Sequence, residues 1–209
     1  MAAFDLQEQE QIASLKDWWH SWGKWAAVAI AAVLIGFAAW AGWQNYQKSQ
    51  IAKAAEVYAQ IEANLAEDGK FKAAVALLKS DFAKTPYAPR AALIAAKLQY
   101  LKGDAAGARS ELQWVIDNSK EAVLRDTARL RLASILQEDK KFTEALALVK
   151  TPEEDGFSGL FAESRGDIYQ AKGEPAAAAD AYRQAIAKLP KDAPNLKLVE
   201  IKLDVLGSK

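Results

Sequence analysis

Catalysis needs nucleophiles, bases or metal ligands held together, and this sequence offers none of them in a working pattern. There is no Cys, which removes thiolate nucleophiles, thiolate metal sites and disulfides together. The single His, His20, has no second His to share a metal with and stands among Trp18, Trp19 and Trp22, where a polar surface role is expected. No Gly-rich phosphate loop, no Ser-His pair with a supporting acid and no carboxylate cluster of metal-binding spacing occurs. Lys plus Arg and Asp plus Glu are balanced at 27 each, so no basic excess recruits nucleic acid. The chemistry that remains is non-covalent: tryptophans grouped for a lipid interface, and aromatic, aliphatic and charged side chains spaced for a protein surface. The expected protein is not an enzyme and takes no cofactor.

The tryptophans point to the first element. Six of the seven lie between positions 18 and 43. Residues 25–43, WAAVAIAAVLIGFAAWAGW, carry no charge, Asn, Gln or Pro. As a helix this run covers roughly 28 Å, the thickness of a bilayer's hydrocarbon core. Trp25 at one end and Trp40 and Trp43 at the other sit where aromatic rings favour the headgroup level. A cleaved signal peptide is the competing reading, since Ala39-Trp40-Ala41 places small residues two apart. The run is longer than a signal core, however, and the segment before it is acidic. Ahead of the span, Ile12, Leu15, Trp19 and Trp22 recur at helical spacing, predicting a short helix on the membrane surface before the chain turns in at Gly23. Lys16 and Lys24 before the span match Lys48 and Lys53 after it, so flanking charge does not set the orientation. A short tail and a long following domain fit a signal anchor with its tail in the cytoplasm.

From Ser49 onward the composition becomes Ala-rich with helical periodicity, and turn signals cut it into helices of ten to seventeen residues. The cuts fall at Asp68-Gly69, Pro86 to Pro89, Lys102-Gly103-Asp104, Glu138-Asp139, Pro152 to Gly156, Lys172-Gly173 and Pro190 to Pro194. Gly166, Tyr169, Ala178, Tyr182, Ala185 and Pro190 match the tetratricopeptide spacing. The pairs Ala74/Leu78, Ala108/Leu112, Ala145/Val149 and Ala178/Tyr182 repeat the same small-x3-large step. Ala96 and Ala133 stand where Gly166 does, and the third hairpin stops early at Thr151-Pro152, predicting an irregular bend. Leu196, Val199, Leu203 and Leu206 form one stripe on a last helix that caps the stack. The expected fold is all-α: one N-terminal transmembrane helix, then a tetratricopeptide-like solenoid of helical hairpins with a C-terminal capping helix. Its divisions are residues 1–24, a short cytoplasmic tail with an interfacial helix; 25–43, the membrane span; and 44–209, the repeat domain.

The surface such an array offers to a partner is the face lined by the first helix of each hairpin. By register it holds Arg90, Leu93, Lys97 and Tyr100, then Leu130, Ser134 and Gln137, then Leu160, Glu163 and Asp167. Leu93, Tyr100 and Leu130 are its expected centre, because aliphatic and aromatic groups in a groove are the usual anchors of an interface. The paired Lys and Asn of carboxylate-clamp repeats are missing from it.

Several motifs resemble one family. Leu15-Lys16-x-Trp18-Trp19-x3-Gly23-Lys24-Trp25, the apolar span, Gly42-Trp43-x2-Tyr46, Tyr100-x2-Gly103, Arg165-Gly166-Asp167, Lys172-Gly173 and Ile201-Lys202-Leu203 are similar to the YfgM-type ancillary subunits of the bacterial SecYEG translocon. The resemblance implies a single-pass inner-membrane protein with its N-terminus in the cytoplasm and its repeats in the periplasm. It also implies the SecYEG translocon, the periplasmic chaperone PpiD and emerging polypeptides as partners, with no catalytic residue. The alternative is a structural scaffold for another envelope assembly, such as a cytochrome-maturation or cell-wall complex.

Overall fold

The computed structural model describes residues 2–64 and 67–207, with side chains from Glu10 onward except at position 62. Among the described residues every regular element is helical, and the chain divides into two compact units, Met1–Gln50 and Ile51–Lys209.

In the first unit, α1 (Ala2–Trp18) leads through one π-helical turn, Trp19–Gly23, into α2 (Lys24–Ala63). The turn expected at Gly23 is therefore replaced by a widened helical turn. The cause is local: the Trp19 ring lies against the bare Gly23 backbone, where an added Cβ would come 2.7 Å from Trp19 Cδ2. A π turn absorbs such an insertion without ending the helix. Residues 25–43 lie wholly inside α2, which is long and apolar enough to cross a membrane, and its most apolar stretch is covered by none of the described residues. Val33, Leu34, Ile35 and Phe37 are all exposed. A helix apolar on every side and bare of protein is stable in lipid, where its backbone bonds are satisfied internally. Aromatic pairs mark the C-terminal end of the apolar span, Phe37 with Trp40 (5.8 Å between ring centres) and Trp43 with Tyr46 (6.0 Å). Nothing between residues 44 and 63 ends α2, because that stretch contains neither Gly nor Pro.

The second unit begins inside α2. Residues 51–63 bury Ala54 and Ile61 against Phe71, Ala74, Val75 and Leu78 of α3 (Asp68–Asp81) and Ala88, Ala91 and Ala95 of α4 (Tyr87–Leu101). They serve as the first helix of the first hairpin. The second hairpin is α4 with α5 (Ala105–Asn118), the third α6 (Ala122–Glu138) with α7 (Phe142–Leu148), and the fourth α8 (Ser158–Lys172) with α9 (Pro175–Lys188). The last described helix, α10 (Leu196–Gly207), packs Val199, Leu203 and Leu206 on the fourth hairpin, as the capping stripe predicts.

All eight residues of the small-x3-large pairs are buried. The step works because the small residue lets the hairpin's two helices approach while the large one fills the space four positions on. In the fourth hairpin a Cβ at Gly166 would run into the Tyr182 ring. In the second and third, Leu112 and Val149 replace the ring, and the smaller side chains leave room for the methyls of Ala96 and Ala133, both buried.

The turns between paired helices also repeat. Asp104 N donates to Gln99 O, Lys141 N to Leu136 O and Glu174 N to Tyr169 O, at 2.8–2.9 Å. Each closes a six-residue loop that requires a left-handed residue just before it. Gly103 (φ +83°), Lys140 (φ +60°) and Gly173 (φ +85°) hold that position. Asp104 and Pro175 then start the second helices, Asp104 Oδ1 accepting from Gly107 N at 2.8 Å and Pro175 standing at the first helical turn.

Two lengths depart from the expected ten to seventeen residues: α2 has 40, and α7 has 7. After α7 the chain does not return as helix but runs through the 3₁₀ turn Asp155–Phe157. Asp126, on α6 and fully buried, holds this segment: its Oδ2 accepts from the backbone N–H of Glu153 and of Glu154, both at 2.9 Å. Arg125 and Arg129 pair with the Glu153 carboxylate, and the Arg125 hydrogen bond holds that carboxyl below its usual range against the opposing effect of burial.

A candidate protein-binding groove along the first helices

The first helices α4, α6 and α8, followed by α10, form a row joined by side-chain bonds at each seam. At the start of the α4–α6 seam, Arg90 grips Glu121 with two bonds (2.7 and 2.8 Å) and also donates to Pro86 O. At its far end the Tyr100 hydroxyl lies 2.6–2.7 Å from the Glu138 carboxylate, whose hydrogen bond raises the tyrosine's pKa. The α6–α8 seam is bridged by Gln137 Nε2, which donates to Asp167 O at 3.4 Å. At the α8–α10 seam Lys202 Nζ donates to Asp167 (2.8 and 2.9 Å) and Glu163 (3.0 Å), while Asn195 Nδ2 donates to Glu163 at 2.6 Å. Burial lowers the Lys202 pKa, but these bonds outweigh it and the net shift is upward.

Between the two ends of the α4–α6 seam the row opens into a pocket of about 320 Å³. Its floor is Ala96, Leu112 and Ile135, and its rim is Lys97, Tyr100, Arg131 and Ser134. Of the residues expected on the binding face, the structure brings Lys97, Tyr100 and Ser134 together here. Arg90 flanks them in its ion pair, Leu130 packs half-buried against the central core, and Gln137 is engaged at the next seam. Leu93 is a correction: it is 8% exposed and belongs to the core, not the groove. A first helix is gripped by its own hairpin partner and by both neighbouring hairpins, so only a narrow stripe stays open, and Leu93 falls outside it. Glu163 and Asp167 are likewise occupied, by α10. Arg131 and Ile135 were not anticipated, although Arg131 stands one helical turn before Ser134 and shares its face. The tryptophans expected to anchor the chain, Trp18, Trp19, Trp22, Trp25, Trp40 and Trp43, are all exposed. Among the described residues no three His, Cys, Asp or Glu side chains are grouped to hold a metal.

The family described as tetratricopeptide repeat-like domain matches residues 16–208. A protein named ancillary SecYEG translocon subunit from Neisseria gonorrhoeae is 31% identical over 207 residues, covering 98% of this chain and 99% of the relative. Proteins of the same name from Haemophilus influenzae (31%) and Aggregatibacter actinomycetemcomitans (28%) each cover 88% of this chain and 90% of their own. The chain belongs to the YfgM-type family of ancillary SecYEG translocon subunits.

The motifs after residue 50 that carried the resemblance to the YfgM-type family sit at junctions of the array. Arg165 reaches from the fourth hairpin to the Val149 carbonyl of the third at 2.8 Å, Gly166 forms the notch under Tyr182, and Asp167 accepts from Lys202. Tyr100 and Gly103 close a seam and a turn, Gly173 closes the next turn, and Lys202 docks the cap. In this YfgM-type chain Tyr182 is buried with its hydroxyl 2.7 Å from both Asp167 Oδ1 and Gln170 Oε1, and burial first, then the bond to Asp167, pushes its pKa up.

Proposed function

We propose that this chain is a non-enzymatic, protein-binding adaptor anchored in the bacterial inner membrane beside the SecYEG translocon, which helps pass emerging polypeptides to the periplasmic chaperone PpiD. The reading rests on the near-full-length match to proteins named ancillary SecYEG translocon subunits, which spans both the apolar helix and the repeats. The helix holds the array where chains emerge, and the open stretch of the first-helix row, with Lys97 and Tyr100 at its rim, receives protein partners. The N-terminal tail lies in the cytoplasm and the repeats in the periplasm.

The test is recovery of the full chain from crosslinked membranes. SecYEG subunits and PpiD in the eluate are the expected result, whereas their absence alongside a different envelope complex overturns the adaptor in favour of a scaffold. Orientation is checked on the same membranes. Lys191→Cys introduces a single thiol at an exposed site in a chain without Cys. It should react with an impermeant reagent in intact spheroplasts, and reaction only after lysis reverses the topology.

A further inference from the structure

The seams of the first-helix row are neutralised wherever a charge faces a neighbour: Arg90 by Glu121, and Lys202 by Glu163 and Asp167. The pocket between α4 and α6 breaks this pattern. Lys97 and Arg131, from two different helices, are both exposed at its rim, and among the described residues neither side chain has an ion pair or hydrogen bond. Elsewhere too the cations between helices are paired, Lys79 on α3 with Glu111 on α5, and Arg109 on α5 with Asp139 just after α6. Glu138, at the end of this seam, accepts from the Tyr100 hydroxyl, and among the described residues no bond joins it to Lys97 or Arg131. Two like charges over one apolar floor repel each other until a carboxylate arrives from outside.

We infer that this pocket binds an acidic-apolar segment of a polypeptide, an Asp or Glu side chain flanked by aliphatic residues. The carboxylate lies between Lys97 and Arg131, and an aliphatic neighbour enters over Ala96, Leu112 and Ile135. A volume of about 320 Å³ fits one or two side chains, not a folded surface. No side-chain amide lines the pocket to grip the last peptide group of a chain end, so an internal acidic side chain is the better match than a terminal carboxylate. This inference rests on the first-helix row being the binding face, and it adds the chemistry that face selects.

The test uses the full chain in nanodiscs and fluorescent synthetic peptides with a Leu-Glu-Leu core between Gly-Ser flanks, amidated at the C-terminus. A charge-assisted contact of this kind corresponds to roughly 10- to 100-fold in affinity. Changing the core to Leu-Gln-Leu, or the protein by Arg131→Glu, should weaken binding by that factor, and raising salt should weaken the Glu peptide more than the Gln peptide. Both rim side chains are exposed, so circular dichroism of the variants should be unchanged. Equal affinity for the Glu and Gln peptides, or full binding by Arg131→Glu, overturns the inference. So does a free Leu carboxyl terminus outcompeting the amidated peptide. The adaptor reading is judged separately, by membrane recovery of SecYEG with the unaltered chain. Loss there with peptide binding intact leaves the pocket standing and removes the adaptor.

Discussion

In the fourth hairpin Tyr182 fills the notch over Gly166, α9 runs fourteen residues and Gly173 makes the turn. In the third, the same three positions are Val149 over Ala133, a seven-residue α7, and Lys140 at positive φ. The fourth is held by shape, a ring in a notch with its hydroxyl anchored to Asp167. The third has a smaller filler and a truncated second helix, and it is completed by a polar clamp, Asp126 receiving two backbone N–H groups from the segment that replaces the missing helix. A repeat unit that loses apolar contact area can therefore be restored by satisfying backbone donors inside it, provided the acceptor is itself buried and fixed.

The sharpest way to break the comparison is to empty the notch. Tyr182→Ala removes a fully buried aromatic side chain and should lower stability by about 3–5 kcal/mol, read as a fall in the urea midpoint. Because α10 docks on the same cluster, cap and fourth hairpin should lose hydrogen-exchange protection together. Protection lost evenly across all four hairpins contradicts a local role for the ring.

The matching change in the third hairpin is Asp126→Ala. It removes a fully buried acceptor and leaves the part-buried N–H groups of Glu153 and Glu154 without their partner, and because both residues are otherwise exposed and water can reach them the expected loss is about 1–3 kcal/mol. Asp126→Asn, which keeps an acceptor oxygen, should lose less. The amides of Glu153 and Glu154 should exchange faster in the Ala variant while those of α9 do not, and unchanged exchange at both shows that the clamp is not what holds the segment.

How much of this was legible in the sequence follows from the range of each interaction. The small-x3-large pairs are contacts four residues apart repeated at a fixed period, and all eight residues are where that period puts them. The early stop of the third hairpin was legible from Thr151-Pro152. Asp126 was not, because a carboxylate between Arg125 and Thr127 reads as helix surface, and its partners lie 27 and 28 residues away in a stretch with no pattern. Leu93 misled for the opposite reason: helical periodicity marks an apolar face, but not which of several neighbours will cover it. The pocket was half legible. Lys97, Tyr100 and Ser134 follow from register, and Arg131, one turn before Ser134 on the same face, could have been read the same way, whereas that α4 and α6 leave an open pocket between these residues follows only from their packing.

The Gly166 position tests whether the two notches are interchangeable. Gly166→Ala alone should destabilise by roughly 1–3 kcal/mol, because the new methyl meets the Tyr182 ring. Paired with Tyr182→Leu it recreates the Ala96–Leu112 combination of the second hairpin. The double variant should then be more stable than the sum of the two single losses, a coupling measurable by a double-mutant cycle. Strict additivity contradicts the shape argument.

Alkaline pH separates the hairpins by chemistry. The Tyr182 hydroxyl has a folded pKa raised above its unfolded value near 10, by burial and the bond to Asp167. A group with a raised folded pKa contributes its full stabilisation below the unfolded pKa and loses it as pH climbs toward the folded one. Above about pH 10 the unfolded chain ionises this tyrosine and the folded chain does not, so stability falls by up to ~1.4 kcal/mol per pH unit from this group. Lys202, also raised, acts in the same direction and window. Tyr182→Phe should be slightly less stable than the unaltered protein at pH 8, yet lose less between pH 8 and pH 11. Parallel losses would mean the hydroxyl is not what titrates.

The smallest expected effect repairs the third hairpin's turn. Lys140 stands at φ +60°, where its two counterparts are Gly103 and Gly173. A side chain in the left-handed region costs about 1–2 kcal/mol relative to a right-handed conformation, a cost Gly does not bear. Gly also gives the unfolded chain more freedom to lose, which takes back roughly 0.5–1 kcal/mol. The difference leaves Lys140→Gly more stable by about 0.5–1 kcal/mol. The Lys140 side chain is exposed and makes no ion pair among the described residues, while the backbone bond from its N–H to Gln137 O is kept by any residue. The reciprocal change, Gly173→Ala, should destabilise by a comparable amount through the same geometry. Urea midpoints of the two variants should therefore move in opposite directions. If Lys140→Gly lowers the midpoint, the lysine is contributing something its turn geometry does not explain, and the two hairpins differ at that corner for a reason other than strain.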